Sequence, residues 1–218
     1  MTATRREPAA AVVPAPDDHV LGNPLAPVTV VEYGDYECPY CAAAAPVLRR
    51  LVEESDGQVR LVFRNFPLAD RHPYALTAAL AAEAAGAQGA FWPMHDLLFA
   101  RQERLDDASL RAYAEELGLD GDRVVGEAAQ PFGDKVEKDF ETALAAGVGG
   151  TPTVFIDGRL FDGRMELGAL RRAVSGGDGG LDPRAGRQRR WPLGLRRAQR
   201  EASAEDPQQD DPGDRGDH

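Results

Sequence analysis

The chain has 218 residues, of which 43% are apolar, and its 25 Lys and Arg against 36 Asp and Glu leave a formal net charge of −11. That length supports one domain with an insertion or tail and a core that needs no disulfide staples. The acidic balance argues against nucleic-acid binding and against a polybasic contact with a membrane, and the 2 cysteines cannot build the multi-bridge framework of a small secreted protein.

Residues 1–19 read as a disordered lead-in, because Arg5 and Arg6 are followed only by a short Ala, Val and Pro stretch and not by the apolar run of a secretory signal. No segment approaches the roughly 18 apolar residues of a spanning helix. The expected location is cytoplasmic, with no membrane partner. The first ordered element is expected at residues 28–33, a β-branched run between Pro27 and Gly34 that reads as a buried strand. Residues 39–54 place Val47, Leu48, Leu51 and Val52 on one side of a helix and Arg49, Arg50, Glu53 and Glu54 on the other. Residues 59–63 alternate after the turn formers Ser55, Asp56 and Gly57, which completes a βαβ unit.

Residues 72–131 are Ala-rich, with helical periodicity over 74–85, 91–101 and 109–117 and no convincing strand, and read as a helical insertion. A helix over 133–146 ends at Gly147, a strand at 154–156 turns at Asp157 and Gly158 toward Leu160 and Phe161, and a helix over 166–174 follows. Residues 20–71 and 132–175 then form the main domain. Residues 176–218, rich in Gly, Asp, Arg, Pro and Gln, read as a disordered tail in which Trp191, Pro192, Leu193 and Leu195 form an accidental apolar patch, with a weak docking motif as the alternative.

The chemistry concentrates at Cys38-Pro39-Tyr40-Cys41, at a strand-to-helix junction where unpaired N–H groups and the helix dipole favour a thiolate. A thiolate at Cys38 can attack a disulfide, and Cys41, one helical turn later, can resolve the mixed disulfide. Pro39 suits the first helical turn. Glu37, directly before Cys38, is expected to oppose the thiolate. The same spacing is half of a structural zinc site, but no metal is expected: His19 and His218 fall in the predicted disordered ends, and His72 and His95 lack paired ligand spacing. Phe66, Pro67, His72, Pro73, Phe91, Trp92, Met94 and His95 read mainly as core, with a substrate groove as the alternative. Far downstream, Gly149-Gly150-Thr151-Pro152-Thr153 stands just before a strand, where proline is tolerated only at an edge or a first position.

The run Val31-Glu32-Tyr33-Gly34-Asp35-Tyr36-Glu37-Cys38-Pro39-Tyr40-Cys41, joined to Gly150-Thr151-Pro152-Thr153, resembles the DsbA-like branch of the thioredoxin superfamily over about residues 20–175. The resemblance implies an α/β thioredoxin fold with an inserted helical domain, and an enzyme that oxidises, reduces or isomerises protein disulfides by dithiol exchange without a cofactor. It makes Thr151 and Pro152 a cis-proline loop facing the cysteines and holding substrate, and Glu32 a buried carboxylate beneath Cys41 that helps move its proton. The alternative for Glu32 is an exposed strand position. Partners implied are protein dithiols and disulfides, with glutathione or a thioredoxin-type protein as redox partner. Tyr40 departs from the histidine of strongly oxidising DsbA enzymes, and the Pro-Tyr pair is similar to that of many glutaredoxins, whose potentials are roughly −200 to −230 mV. Competing readings are a glutathione-linked kappa-type transferase or isomerase of the same fold, which does not need both cysteines, a peptide-binding or thiol-dependent chaperone module, and a zinc or redox-sensor module.

Overall fold

A computed structural model of the chain describes residues 14–176. Five strands, β1 (His19–Gly22), β2 (Val28–Gly34), β3 (Val59–Asn65), β4 (Thr153–Ile156) and β5 (Arg159–Phe161), form one sheet in the order β1-β3-β2-β4-β5. β2 and β3 are parallel and the other neighbours antiparallel. A parallel pair requires a crossover, which α1 (Pro39–Glu53) supplies. The α/β class and the βαβ opening expected from the sequence are the ones observed.

Side chains of a strand alternate between faces, and that parity organises β2. Val30 joins Ala44, Leu48 and Leu51 of α1, and Leu170 of α7 (Leu167–Val174), in one core cluster. Val31 and Tyr33 join Phe155 and Ala143 of α6 (Gly133–Ala145) on the opposite side. Glu32 therefore shares the face of Val30, beneath α1. Buried Cys41, Ala44, Leu48, Leu51 and Val52 form one stripe of that helix.

Between β3 and α6 come α2 (Ala75–Gly86), α3 (Phe91–Ala100), α4 (Asp107–Glu116) and α5 (Gly126–Ala129), with short 3-10 turns at Gly121–Arg123 and Gln130–Phe132. α2 buries alanines on nearly every side, including Ala78, Ala79, Ala81, Ala82, Ala84 and Ala85. Such small residues let neighbouring elements approach closely. α4 starts two residues before the sequence pattern suggests, because the Asp106 side chain caps it by accepting from the Ser109 amide.

The expected disordered lead-in is corrected where it meets the sheet. His19 opens β1, which pairs antiparallel with β3. Its Nε2 lies 2.8 Å from Glu83 Oε2, and its ring stacks on Phe91 with centroids 3.6 Å apart. The Arg64 guanidinium donates to both Asp18 oxygens, at 3.0 and 2.7 Å. Four residues carry too little periodicity to announce a strand, and it is pairing with β3 that orders them. The regions read as disordered at residues 1–13 and beyond residue 176, with the Trp191 cluster and His218, lie outside the described residues.

Arg64 and Asp18 are buried, their side chains 4% and 1% exposed. Removing one partner breaks this buried ion pair, at a cost of roughly 3–5 kcal/mol. Asp18→Ala should lower the urea midpoint accordingly, and adding Arg64→Met should recover much of the loss. An unchanged midpoint in Asp18→Ala would show that this anchor contributes nothing.

Candidate active site

Two tight junctions place the cysteines. β2 ends at Gly34, where an added Cβ would run into the Phe63 ring. Asp35 then ties the turn together from a buried position. Its carboxylate accepts the Glu37 amide at 2.8 Å on Oδ1, and on Oδ2 the Leu68 amide at 2.9 Å and His72 Nδ1 at 2.8 Å. Its carbonyl accepts the Cys38 amide at 3.1 Å. Cys38 is the extended residue that caps α1, and Pro39 occupies the first turn as the sequence suggests. The Cys38 carbonyl accepts the amides of Cys41 and Ala42 at 3.1 and 3.2 Å. A third donor arrives from far along the chain: Gln102 Nε2, 2.9 Å from the Cys38 carbonyl and 2.6 Å from that of Tyr36.

Both cysteines are free thiols, with Cys38 4% exposed and Cys41 fully enclosed. Cys38 is pulled down to about 5, first by the hydrogen bond from the Cys41 thiol, which outweighs the opposing effect of burial, and then by the Thr151 side chain and the amides of Cys41 and Tyr40. The Thr151 hydroxyl is buried without a hydrogen-bond partner in the thiol form, so it is free to donate to a thiolate. Cys38 Sγ itself lies 3.4 Å from the Thr151 carbonyl. Cys41 moves the other way, held far above the usual thiol range by burial, by the bond it donates to Cys38 and by the charge of Glu32. Two chemically identical side chains are thereby driven apart, one a thiolate at neutral pH and one a thiol.

Glu32 is completely buried, and neither carboxylate oxygen has a hydrogen-bond partner. Desolvation, reinforced by the negative charge of Cys38, pushes it up to about 8. The exposed-strand alternative for Glu32 is excluded by this burial. The Glu37 carboxylate accepts the Tyr74 amide at 2.7 Å in an exposed setting, and the largest influences at Cys38 come instead from Cys41, burial, Thr151 and the helix amides.

The second motif closes on the first. The Thr151–Pro152 peptide bond is cis, and Thr153 Oγ1 donates to the Gly150 carbonyl at 2.7 Å to tighten the loop ahead of β4. Tyr40 projects into solvent, 74% exposed, beside the enclosed sulfurs. Phe66, Phe91, Met94 and His95 are core residues. His95 sits among Tyr36, Phe63, Trp92 and Phe99, 3.2 Å from the Tyr36 hydroxyl, and burial lowers it to about 3. Among the described residues no three His, Cys, Asp or Glu side chains gather as a metal-ligand group. Sequence reasoning missed Asp35, His72 and Gln102 as organisers of the loop. Asp35 lies inside the quoted motif, but nothing in the spacing connects it to His72 or marks Gln102.

Residues 14–175 match the family profile described as Thioredoxin. Among solved structures, a thioredoxin-like oxidoreductase from Silicibacter pomeroyi is 33% identical, with a TM-score of 0.64 over 74% of this chain and 92% of that one. The thiol-disulfide exchange protein alpha-DsbA2 from Wolbachia pipientis is 25% identical, with a TM-score of 0.64 over 72% and 85% of the two chains. BdbD from Bacillus subtilis, 24% identical with a TM-score of 0.64 over 78% and 95%, shares the fold. Among curated sequences, Na(+)/H(+) antiporter NhaA 1 of Salinispora arenicola is 49% identical over 174 residues, 78% of this chain and 26% of that protein. NhaA 3 of Salinispora tropica is 51% identical over 158 residues, 72% and 24% of the two. The chain thus spans about a quarter of the length of these curated relatives, and no helix among its described residues is long and apolar enough to cross a membrane. With a βαβ opening, a cysteine pair at the head of α1 and a Thr-Pro loop facing it, the chain belongs to the thioredoxin family, in the DsbA-like form of that oxidoreductase fold.

Proposed function

We propose that this protein catalyses thiol–disulfide exchange on protein substrates, with Cys38 as nucleophile, Cys41 as resolving thiol and Glu32 as the group that takes the proton from Cys41. The observation that carries the reading is the placement of two enclosed thiols at the head of α1, with Cys38 Sγ 3.4 Å from the Thr151 carbonyl and the buried, unpartnered Glu32 carboxyl on the adjoining strand, and the lowered Cys38 and raised Cys41 agree with it. Cys38 attacks one sulfur of a substrate disulfide, and the other sulfur leaves as a thiolate and takes up a proton. Forming the mixed disulfide removes the charge on Cys38, which is one of the two causes holding the Glu32 proton on. Glu32 can then ionise more easily and accept the proton of Cys41, whose sulfur displaces the substrate and leaves a Cys38–Cys41 disulfide. Pro39 and Tyr40 shape the loop between the sulfurs, and the Thr151–Pro152 loop holds an extended segment of the substrate alongside them.

Stabilising the thiolate stabilises the reduced pair, and hence makes the disulfide more oxidising. A nucleophile near 5 is about two units below thioredoxin's value of roughly 7. At about 30 mV per unit from thioredoxin's roughly −270 mV, the expected potential is about −210 mV. Equilibration in glutathione buffers, with insulin reduction alongside, tests this. A cysteine-dependent two-electron transition near that value with catalytic turnover supports the reading, whereas no transition and no turnover refute it.

We also place its action in the cytoplasm, where thiol systems would recycle the pair to the dithiol and make it a reductant, with glutathione or a thioredoxin-type protein as donor. Trapping the pair mainly as a disulfide in intact cells would overturn that direction. A glutathione-linked transferase would use Cys38 alone, and a second free thiol enclosed one helical turn later favours dithiol exchange instead. Ion transport belongs to the name of relatives about three times as long and is not proposed for this chain.

A further inference from the structure

Gln102 follows α3 in the connection to α4, and its side-chain amide reaches back to the loop in front of the nucleophile. One nitrogen donates to the carbonyls of Tyr36 and Cys38, at 2.6 and 2.9 Å. Both acceptors are carbonyl oxygens, so both N–H bonds of the amide are engaged at once and its own oxygen could not take their place without repulsion. The segment that delivers it is well held. Arg49 of α1 pairs with Asp96 of α3, Met94 and Leu98 of α3 are fully buried, and Arg101 pairs with Glu116 of α4 while lying over the Tyr113 ring.

The two carbonyls lie on either side of Glu37, one ahead of the nucleophile and one its own. That of Cys38 also accepts the first two amides of the helix turn, from Cys41 and Ala42. The tilt of this peptide group therefore sets where the amides of Tyr40 and Cys41 point, and those amides help to hold Cys38 as a thiolate. The carbonyl of Tyr36 fixes the chain as it enters the turn. Asp35 braces the same turn from the side of β3, and Gln102 is its counterpart from the helical segment.

We propose that Gln102 is a positioning residue of the thiol site, through which the α3–α4 connection holds the first turn of α1 against the Cys38 sulfur. It touches neither sulfur and acts through the backbone. The inference rests on the exchange reading for its importance to turnover, but its direct signature is the titration of Cys38.

The test is the pH dependence of iodoacetamide alkylation of the reduced full-length chain, with thermal melting and insulin reduction measured in parallel. Gln102→Met keeps the bulk and removes both donors. The Cys38 midpoint should rise from about 5 by about one unit, which lowers the thiolate fraction at pH 5, and with it the alkylation rate, about fivefold. Gln102→Asn keeps the amide on a shorter arm, cannot reach both carbonyls and should give a smaller rise, which serves if the Met variant fails to fold. A midpoint unchanged in whichever variants fold overturns the proposal, even if the melting temperature falls, because that pattern means docking of the helical segment alone. The two failures are distinguishable: an unmoved midpoint with normal insulin turnover removes Gln102 and leaves the exchange reading, while a raised midpoint in a chain that never reduces insulin removes the exchange reading and leaves Gln102.

Discussion

Replacing Cys41 by Ser is expected to stop the protein in mid-reaction. The Cys38 thiolate remains able to attack, but the sulfur that would release the substrate is gone, so mixed disulfides accumulate and escape only through external thiols. Uncatalysed disulfide rearrangement takes minutes to hours, against enzymatic turnover on the order of 1–1,000 per second, so multiple-turnover insulin reduction should fall by roughly a hundredfold or more. The Cys41 thiol is also the largest influence pulling Cys38 down. A hydroxyl donates a similar bond, so a Ser variant preserves more of the thiolate than an Ala variant should. The measurement is non-reducing gel electrophoresis and mass analysis of Cys41→Ser after incubation with an oxidised protein substrate. Unimpaired turnover without trapped adducts would mean that Cys38 works alone, as in a single-thiol transferase, and the dithiol mechanism would be wrong.

The second large effect belongs to Glu32 and appears in stability as well as in rate. Its carboxyl is raised from 4.5 to about 8 in the fold, so between those values the folded state holds a proton that the unfolded chain has released. Stability from this group is complete below pH 4.5 and is lost as pH rises through 8. At 1.36 kcal/mol per unit the full loss is roughly 3–5 kcal/mol. Glu32→Gln has no proton to lose. Its melting temperature should therefore exceed that of the wild type at pH 9 by roughly 10 °C and differ much less at pH 5. Comparing the two chains subtracts most of the titration of Cys38, which runs the opposite way: depressed to about 5 from 9.0, it adds stability to the reduced chain as pH rises through that interval. The gain in stability should come with a loss of rate. Without a carboxylate to take the Cys41 proton, release of the mixed disulfide should slow by about a hundredfold, within the range of general base contributions. Parallel pH–stability curves for the two chains would contradict the buried, unpaired state of Glu32.

Much of this arrangement is legible in residue order because it is local. A β-branched run, a Cys-Pro-Tyr-Cys turn and an amphipathic helix are set by propensities and periodicities acting over a few residues, and the Thr-Pro step before β4 is equally compact. The place of Glu32 is what the resemblance implies, and the structure gives its physical reason: with Val30 packed against α1, the period of two puts Glu32 on the same face. Residue order thus carries the strand and helix types around the site and the pairing of Cys38 with Cys41, while the proline facing them is what the resemblance to DsbA-like proteins implies.

Other features depend on partners that no local pattern names. Asp18 and His19 are ordered by Arg64, Glu83 and Phe91, far along the chain, and four residues of edge strand have no signal apart from that pairing. The influence of Glu37 could be guessed only from its position beside Cys38, but its carboxylate turns to the Tyr74 amide. Asp35 meets His72, and Gln102 reaches the carbonyls on either side of Glu37, across sequence separations of 64 and 66 residues in the latter case. Hydrogen bonds between distant side chains and backbone depend on how helices pack rather than on periodicity, so the tertiary structure alone decided what braces the nucleophile. Its charge is legible in part: residue order already marks Cys38, at the head of the helix, as the thiolate, and burial of Cys41 adds what no local pattern shows, a second thiol held protonated beside it.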